Sequence, residues 1–198
     1  YLEGTARWEF KYLKRILSAE KSQQLNTFLQ SGMGIYLNFA TDGGTDRQVS
    51  LPKFDAEFLR NYKIVILGDL LQDSLQKEDY LALNDFVEKG GAILFLTGNN
   101  SASSEGIFNS PDLMELFPVS SLPEAEMREG RFSVDFTAAG RAQSAFSSLG
   151  GSSRLPPLLS FWGPVKSNPF ASVFLATSDN SPILVARRFG RGRTAILL

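Results

Sequence analysis

The sequence contains neither cysteine nor histidine. Without cysteine there is no disulfide, no thiolate metal site and no thiol nucleophile. Without histidine the chain also lacks the side chain that most often serves as general base near neutral pH and as metal ligand. Ser-His-Asp, Cys-His and histidine-based zinc chemistries are therefore excluded within it. Charge of one sign is scarce too: 20 basic residues stand against 21 acidic ones, a net charge of −1. No overall field draws the protein to nucleic acid or to an anionic membrane. No apolar run approaches the roughly 18 residues that cross a bilayer, and no signal peptide opens the chain. No P-loop or G-x-G-x-x-G turn follows any strand.

What remains is 198 residues, 43% of them hydrophobic, enough for one good-sized core. Residues 1–198 are expected to form a single domain. The opening "YLEG" reads as the tail of a strand and the closing "RTAILL" as a strand still running, so the expectation is a domain excised from a larger chain.

After "YLEGT", "ARWEFKYLKRILSAEK" spaces Trp8, Tyr12, Leu13, Ile16 and Leu17 as one apolar helix face, with Thr5 as N-cap. "QQLNTFLQS" and "GIYLNFAT" read as extended, "DGGTDRQ" as a loop, and Phe54 to Tyr62 as a short helix. The clearest stretch is the middle. "YKIVILGDL" is a buried strand closed by Gly68-Asp69, "QKEDYLALNDFVEKGG" an amphipathic helix stopped at Gly90, and "AILFLTG" a second buried strand. Strand, helix and strand with unbroken apolar strands predict a right-handed parallel crossover, hence a mostly parallel sheet covered on both faces. Further on, "SPDLMELFPV" reads as a short helix with Ser110 as N-cap, "RFSVDFT" as a strand, "AAGRAQSAFSSL" as a helix and "RLPPLLSFWGPVKSNP" as an irregular loop. Three strands close the chain, the last two as a hairpin turned at Gly190 to Gly192.

Ligands of an open parallel sheet sit beyond the carboxyl ends of its strands. Three such ends carry polar residues: Glu3, Asp69, and the run Thr97, Gly98, Asn99 and Asn100. Glu3 and Asp69 could act as a carboxylate pair for acid-base work or for a hard cation. The ordinary alternative is that each caps a helix or accepts turn amides. Arg7 either meets an anion at this crevice or pairs with Glu3 or Glu9. Arg187, Arg188, Arg191 and Arg193 form either an anion or partner patch or simply a charged hairpin tip. Phe161 and Trp162 form either a contact surface or a plug over the sheet edge. A hydroxyl nucleophile at Thr97, Ser101 or Ser103 would need Lys, Asp or Glu as its base, and no Ser-x-x-Lys spacing surrounds the turn.

Together, "YLEGTARWEFKYLKRIL", "YKIVILGD", "FVEKGGAILFLTG" and "PILVARRFGRGRTAIL" resemble the class I glutamine amidotransferase-like domains of large bacterial membrane-anchored proteins, which often carry von Willebrand factor A domains. The resemblance implies a flavodoxin-like three-layer α/β/α sandwich. It places the family's nucleophilic cysteine in an elbow that here reads Leu96-Thr97-Gly98-Asn99-Asn100, with no cysteine, and with no histidine anywhere to complete a triad. It therefore implies a non-catalytic module for protein interaction or small-ligand sensing, with no cofactor and no metal. Its partners would be other domains of the same polypeptide or associated membrane proteins, not nucleic acid, and the segment would not itself insert into the membrane. The implied setting is a soluble domain of a bacterial membrane-anchored protein, the periplasmic side being favoured. The alternative reading is a hydrolase or carbohydrate-active enzyme using Glu3 and Asp69.

Overall fold

Strand after strand whose carboxyl end runs into a polar turn builds the centre of one ten-stranded sheet. The computed structural model describes residues 1–39, 46–120, 122, 125–147 and 155–198. In chain order the central strands are β1 (Leu2–Glu3), β2 (Thr27–Gly32), β5 (Ile64–Gly68), β6 (Ala92–Leu96) and β14 (Gly192–Leu197). Between them lie β3 (Ile35–Phe39), β4 (Arg47–Val49), β9 (Val134–Phe136), β12 (Ser172–Thr177) and β13 (Pro182–Phe189), and the sheet order is β4-β3-β2-β1-β5-β6-β14-β13-β12-β9. The five central strands are all parallel. Their order, second, first, third, fourth and fifth, is that of a flavodoxin-like doubly wound sheet.

The expectation of a mostly parallel sheet needs correction. Within the ten-stranded sheet four pairings are parallel and five antiparallel. The reason is local: short connections such as Gly190-Arg191 can join only antiparallel neighbours, so hairpins extend the sheet on both flanks.

Right-handed crossovers put α1 (Trp8–Ala19), between β1 and β2, on the face opposite α3 (Lys77–Glu88), between β5 and β6. The α3 face is the better filled. Leu83 and Val87 of α3 are fully buried with Phe95, Val185 and Ile196, and α2 (Ala56–Leu59) packs beside them. Gln76 and Asp79 form a reciprocal capping box at the start of α3, and Gly90, at φ +116°, ends it in a conformation that suits glycine. On the other face α1 lies beside a two-stranded antiparallel arm of β8 (Glu126–Phe132) and β10 (Leu158–Gly163). A further small pair joins β7 (Val119–Ser120) to β11 (Lys166–Ser167).

Several local expectations change. α1 buries Phe10, not the Trp8, Tyr12 and Ile16 stripe, which is exposed. Its N-cap position is Arg7, without a side-chain cap bond, and not Thr5, whose hydroxyl accepts from Asn100 Nδ2. Arg47 and Gln48 belong to β4, while the rest of the expected loop, apart from Asp46, lies outside the described residues. The stretch read as an irregular loop contains β10 and β11. Residues 138–147 form two one-turn helices, α4 (Ala138–Arg141) and α5 (Ser144–Ser147), where one helix was expected. No helix among the described residues is long and apolar enough to cross a membrane.

Candidate functional site

Because β1, β5, β6 and β14 run parallel, their carboxyl ends open on the same edge of the sheet. β1 and β5 are neighbours from which the chain winds in opposite directions, so the crevice lies at the topological switch point. The structure brings Glu3, Arg7, Asp69, Thr97, Gly98, Asn99 and Asn100 together there.

Their arrangement is an internal polar lock. Glu3 has no exposed surface. It accepts hydrogen bonds from Arg7 Nε at 2.9 Å and from the Tyr1 hydroxyl at 2.5 Å. The Arg7 guanidinium reaches onward to the Thr97 carbonyl at 2.5 Å and the Leu96 carbonyl at 3.5 Å. One arginine thus ties the end of β1 to the end of β6. Burial pushes the Glu3 carboxyl above the usual carboxylate range, against the opposing pull of the Arg7 charge and the Tyr1 hydroxyl. Burial, together with Glu3, also pushes the Tyr1 phenol up.

Asp69 makes the second half of the lock. It is buried, sits at φ +48°, a left-handed conformation that Asp tolerates better than most residues, and accepts the Asn100 amide at 2.7 Å and the Ser101 amide at 3.0 Å. This is turn capping, with the amides coming from the β6 turn. Ser101 closes the turn from inside: its hydroxyl accepts from the Gly98 amide at 2.9 Å and donates to the Gly98 carbonyl at 3.1 Å. Asn100 Nδ2 donates to Thr5 Oγ1 at 2.8 Å, joining this turn to the β1 end. Two glycines make room. A Cβ at Gly98 would lie 2.4 Å from Asp69 Oδ1, and one at Gly68 2.3 Å from Glu3 Oε2.

The expected elbow is therefore a folded turn whose hydroxyl and amide groups largely serve the turn itself. Asn99 is exposed on its rim. Thr97 Oγ1 donates to the Leu197 carbonyl at 2.9 Å. No group of three or more acidic residues that could hold a metal ion occurs among the described residues.

From this crevice a groove of about 650 Å³ runs between α1 and the β8–β10 arm, a size typical of ligand sites. Its walls carry side chains expected from the sequence in the core or in a loop. Trp8, Tyr12 and Ile16 are 65%, 52% and 65% exposed on one side, and Met127, Leu158 and Trp162 stand on the other. Phe161 is buried against Val134 and Ile183, so it acts as a plug, while Trp162 is half-buried. The signal that could have found this groove is the second apolar stripe of α1. Phe10 is buried and Leu13 and Leu17 are partly so, with Leu13 itself on the groove wall, which leaves Trp8, Tyr12 and Ile16 exposed.

The arginine hairpin does not join the crevice residues in one site and does not form one patch. Arg188 and Arg193 are direct cross-strand partners, whereas Arg187 pairs with Thr194 and points to the opposite face. There the Arg187 Nε is buried without a hydrogen-bond partner, and burial lowers its pKa below the usual arginine value.

No protein-family model matches the sequence, and no curated protein is similar to it in sequence. Solved structures resemble it in fold. The cytoplasmic protein STM1381 of Salmonella typhimurium LT2 superposes with a TM-score of 0.61 at 18% identity, over 74% of this chain and 64% of that one. This chain thus spans just under two thirds of that protein. The cytoplasmic protein STM3548 of Salmonella typhimurium gives 0.59 at 15% identity, over 87% and 82%. A ThuA-like protein of Parabacteroides merdae gives 0.58 at 11% identity, over 99% and 76%. These likenesses are of fold alone, that of an α/β domain with a doubly wound sheet.

Proposed function

We propose that the chain is a non-catalytic module on an amidotransferase-like scaffold, serving protein interaction or small-ligand sensing within a larger membrane-anchored protein. The observation that carries this reading is the fate of the two crevice carboxylates. Glu3 is buried and bound by Tyr1 and Arg7, and Asp69 is buried and bound by the Asn100 and Ser101 amides. A general base must reach a substrate proton within hydrogen-bond distance, and both acids are already committed to holding strand ends together. With no cysteine or histidine in the sequence, the crevice has no conventional nucleophile-base pair. What it offers instead is a groove with exposed aromatic and aliphatic side chains, the surface type used for recognition.

A glutaminase assay tests the reading. The wild-type chain should release no ammonia from glutamine above the protein-free rate. Turnover that disappears on Thr97→Ala, Ser101→Ala or Asn99→Ala would overturn it.

A further inference from the structure

The flank of α1 turned away from the groove carries a separate pocket of about 520 Å³, within the range of small-molecule sites. Its floor is aromatic. Phe10 of α1 is buried and meets Phe39 of β3 with ring centroids 5.8 Å apart. β3 alternates, sending Tyr36 into the core of the opposite face and Phe39 to the α1 side. The wall is cationic. Lys11, Lys14 and Arg15, spaced i, i+3 and i+4, stand on this flank of the helix, with Ser18 one turn further on. No acidic residue lines the pocket among the described residues.

Three cations at helical spacing repel one another unless something negative meets them, and none of the three has a salt-bridge partner among the described residues. The acids nearest in sequence are turned elsewhere. Glu9 lines the groove on the other flank, and Glu20, just past the end of α1, accepts the Ser22 amide at 3.1 Å. Lys14 is half-buried, and its ammonium rests on the Phe39 ring, 3.4 Å from the centroid. An aromatic face has thus replaced part of its water, and the charge is in place before any ligand arrives. A bare oxyanion would meet the cations but leave the two rings uncovered, and a neutral apolar ligand would do the reverse. We infer that this pocket binds a small amphiphilic carboxylate, its carboxyl group against Lys11, Lys14 and the forked donors of Arg15, its aliphatic or aromatic body on Phe10 and Phe39. The inference rests on the small-ligand branch of the module reading and supplies the ligand's chemistry.

The test uses octanoate as the probe, with octylammonium, octanol and inorganic phosphate as controls, read by calorimetry on the whole chain. Octanoate should bind saturably at one site, and each control at least about tenfold more weakly. Lys14→Met keeps a stem over Phe39 and removes the charge, so it should weaken octanoate at least about tenfold without lowering the melting temperature. Lys11→Glu with Arg15→Glu, at exposed positions, should turn the preference to octylammonium. Tyr12→Ala with Ile16→Ala, on the groove side of α1, should leave octanoate binding unchanged. No binding of octanoate, binding no tighter than that of any control, or binding that survives both Lys14→Met and the charge reversal would overturn the inference. So would loss of binding in the Tyr12 and Ile16 variant, which would place the ligand in the groove. Lys14-dependent binding of phosphatidylglycerol vesicles without binding of free octanoate would overturn it too, since a lipid surface would then be the occupant. A chain that binds no octanoate and releases no ammonia from glutamine loses only this inference. A chain with crevice-dependent turnover loses the module reading itself, whatever this pocket binds.

Discussion

Replacing Arg7 with methionine keeps the length of the side chain but leaves Glu3 buried without its cation. The Glu3 side chain has no exposed surface and that of Arg7 only 16%. Removing one member of such a pair costs about 3–5 kcal/mol. The lower end applies here, because the Tyr1 hydroxyl still donates to Glu3. About 3 kcal/mol in a chain of this length lowers the melting temperature by roughly 6–12 °C. The loss should depend on pH in a definite sense. Glu3 already has its pKa raised by burial, with Arg7 opposing, and the variant raises it further. Between the unfolded and folded values the native state holds a proton that the unfolded state has released, so stability falls as pH rises through that window. Below both values the part of the penalty due to the Glu3 charge vanishes, leaving the lost bonds to the Thr97 and Leu96 carbonyls, and above both values it is complete. Melting followed by circular dichroism at about pH 5 and about pH 8 should therefore show the larger deficit at the higher pH. Adding Glu3→Gln should recover most of it. A deficit under about 1 kcal/mol, the scale of an ordinary surface pair, or no recovery by Glu3→Gln, would refute the lock as described.

Three further outcomes follow from the same geometry. Gly98→Ala forces a Cβ to within 2.4 Å of Asp69 Oδ1 and should cost about 1–3 kcal/mol as the carboxylate is pushed from the Asn100 and Ser101 amides, read as a lower denaturation midpoint with unchanged slope. Ser101→Ala removes a fully buried hydroxyl that satisfies the Gly98 amide and should cost about 1–3 kcal/mol, whereas Ser103→Ala, whose hydroxyl donates to the Asn100 carbonyl from a partly buried position, should cost less. Arg193→Glu places an acid directly across from Arg188 and should stabilise the hairpin by about 0.2–1 kcal/mol, an effect that should fade at high salt.

The β5–α3–β6 unit could be read from sequence because its signals are redundant: unbroken apolar runs at Val65–Leu67 and Ile93–Leu96, an amphipathic helix between them, and Gly90 to stop it. The crevice followed, since strand direction alone fixes which ends converge. α1 misled because it has two apolar stripes and only tertiary packing decides which one is buried. The β8–β10 arm was invisible for a different reason. Residues 126–131 are all exposed, so no alternation of apolar and polar marks a strand, and Pro156, Pro157 and Pro164 frame β10 like a loop. The arginine run looked like one patch because sequence proximity hides the two-residue period that sends Arg187 to the other face. For Glu3 and Arg7 the ion-pair alternative could be named from their spacing, but the reach of Arg7 to the Leu96 and Thr97 carbonyls, some ninety residues away in the chain, could not.

In the proposed module the crevice acids hold strands together and perform no chemistry. Its most direct test is turnover of chromogenic esters and glycosides by the wild-type chain, with Glu3→Gln and Asp69→Asn measured alongside. The prediction is no hydrolysis above the protein-free rate in any of the three. Hydrolysis by the wild-type chain that is lost in either variant, while that variant remains folded, would contradict it.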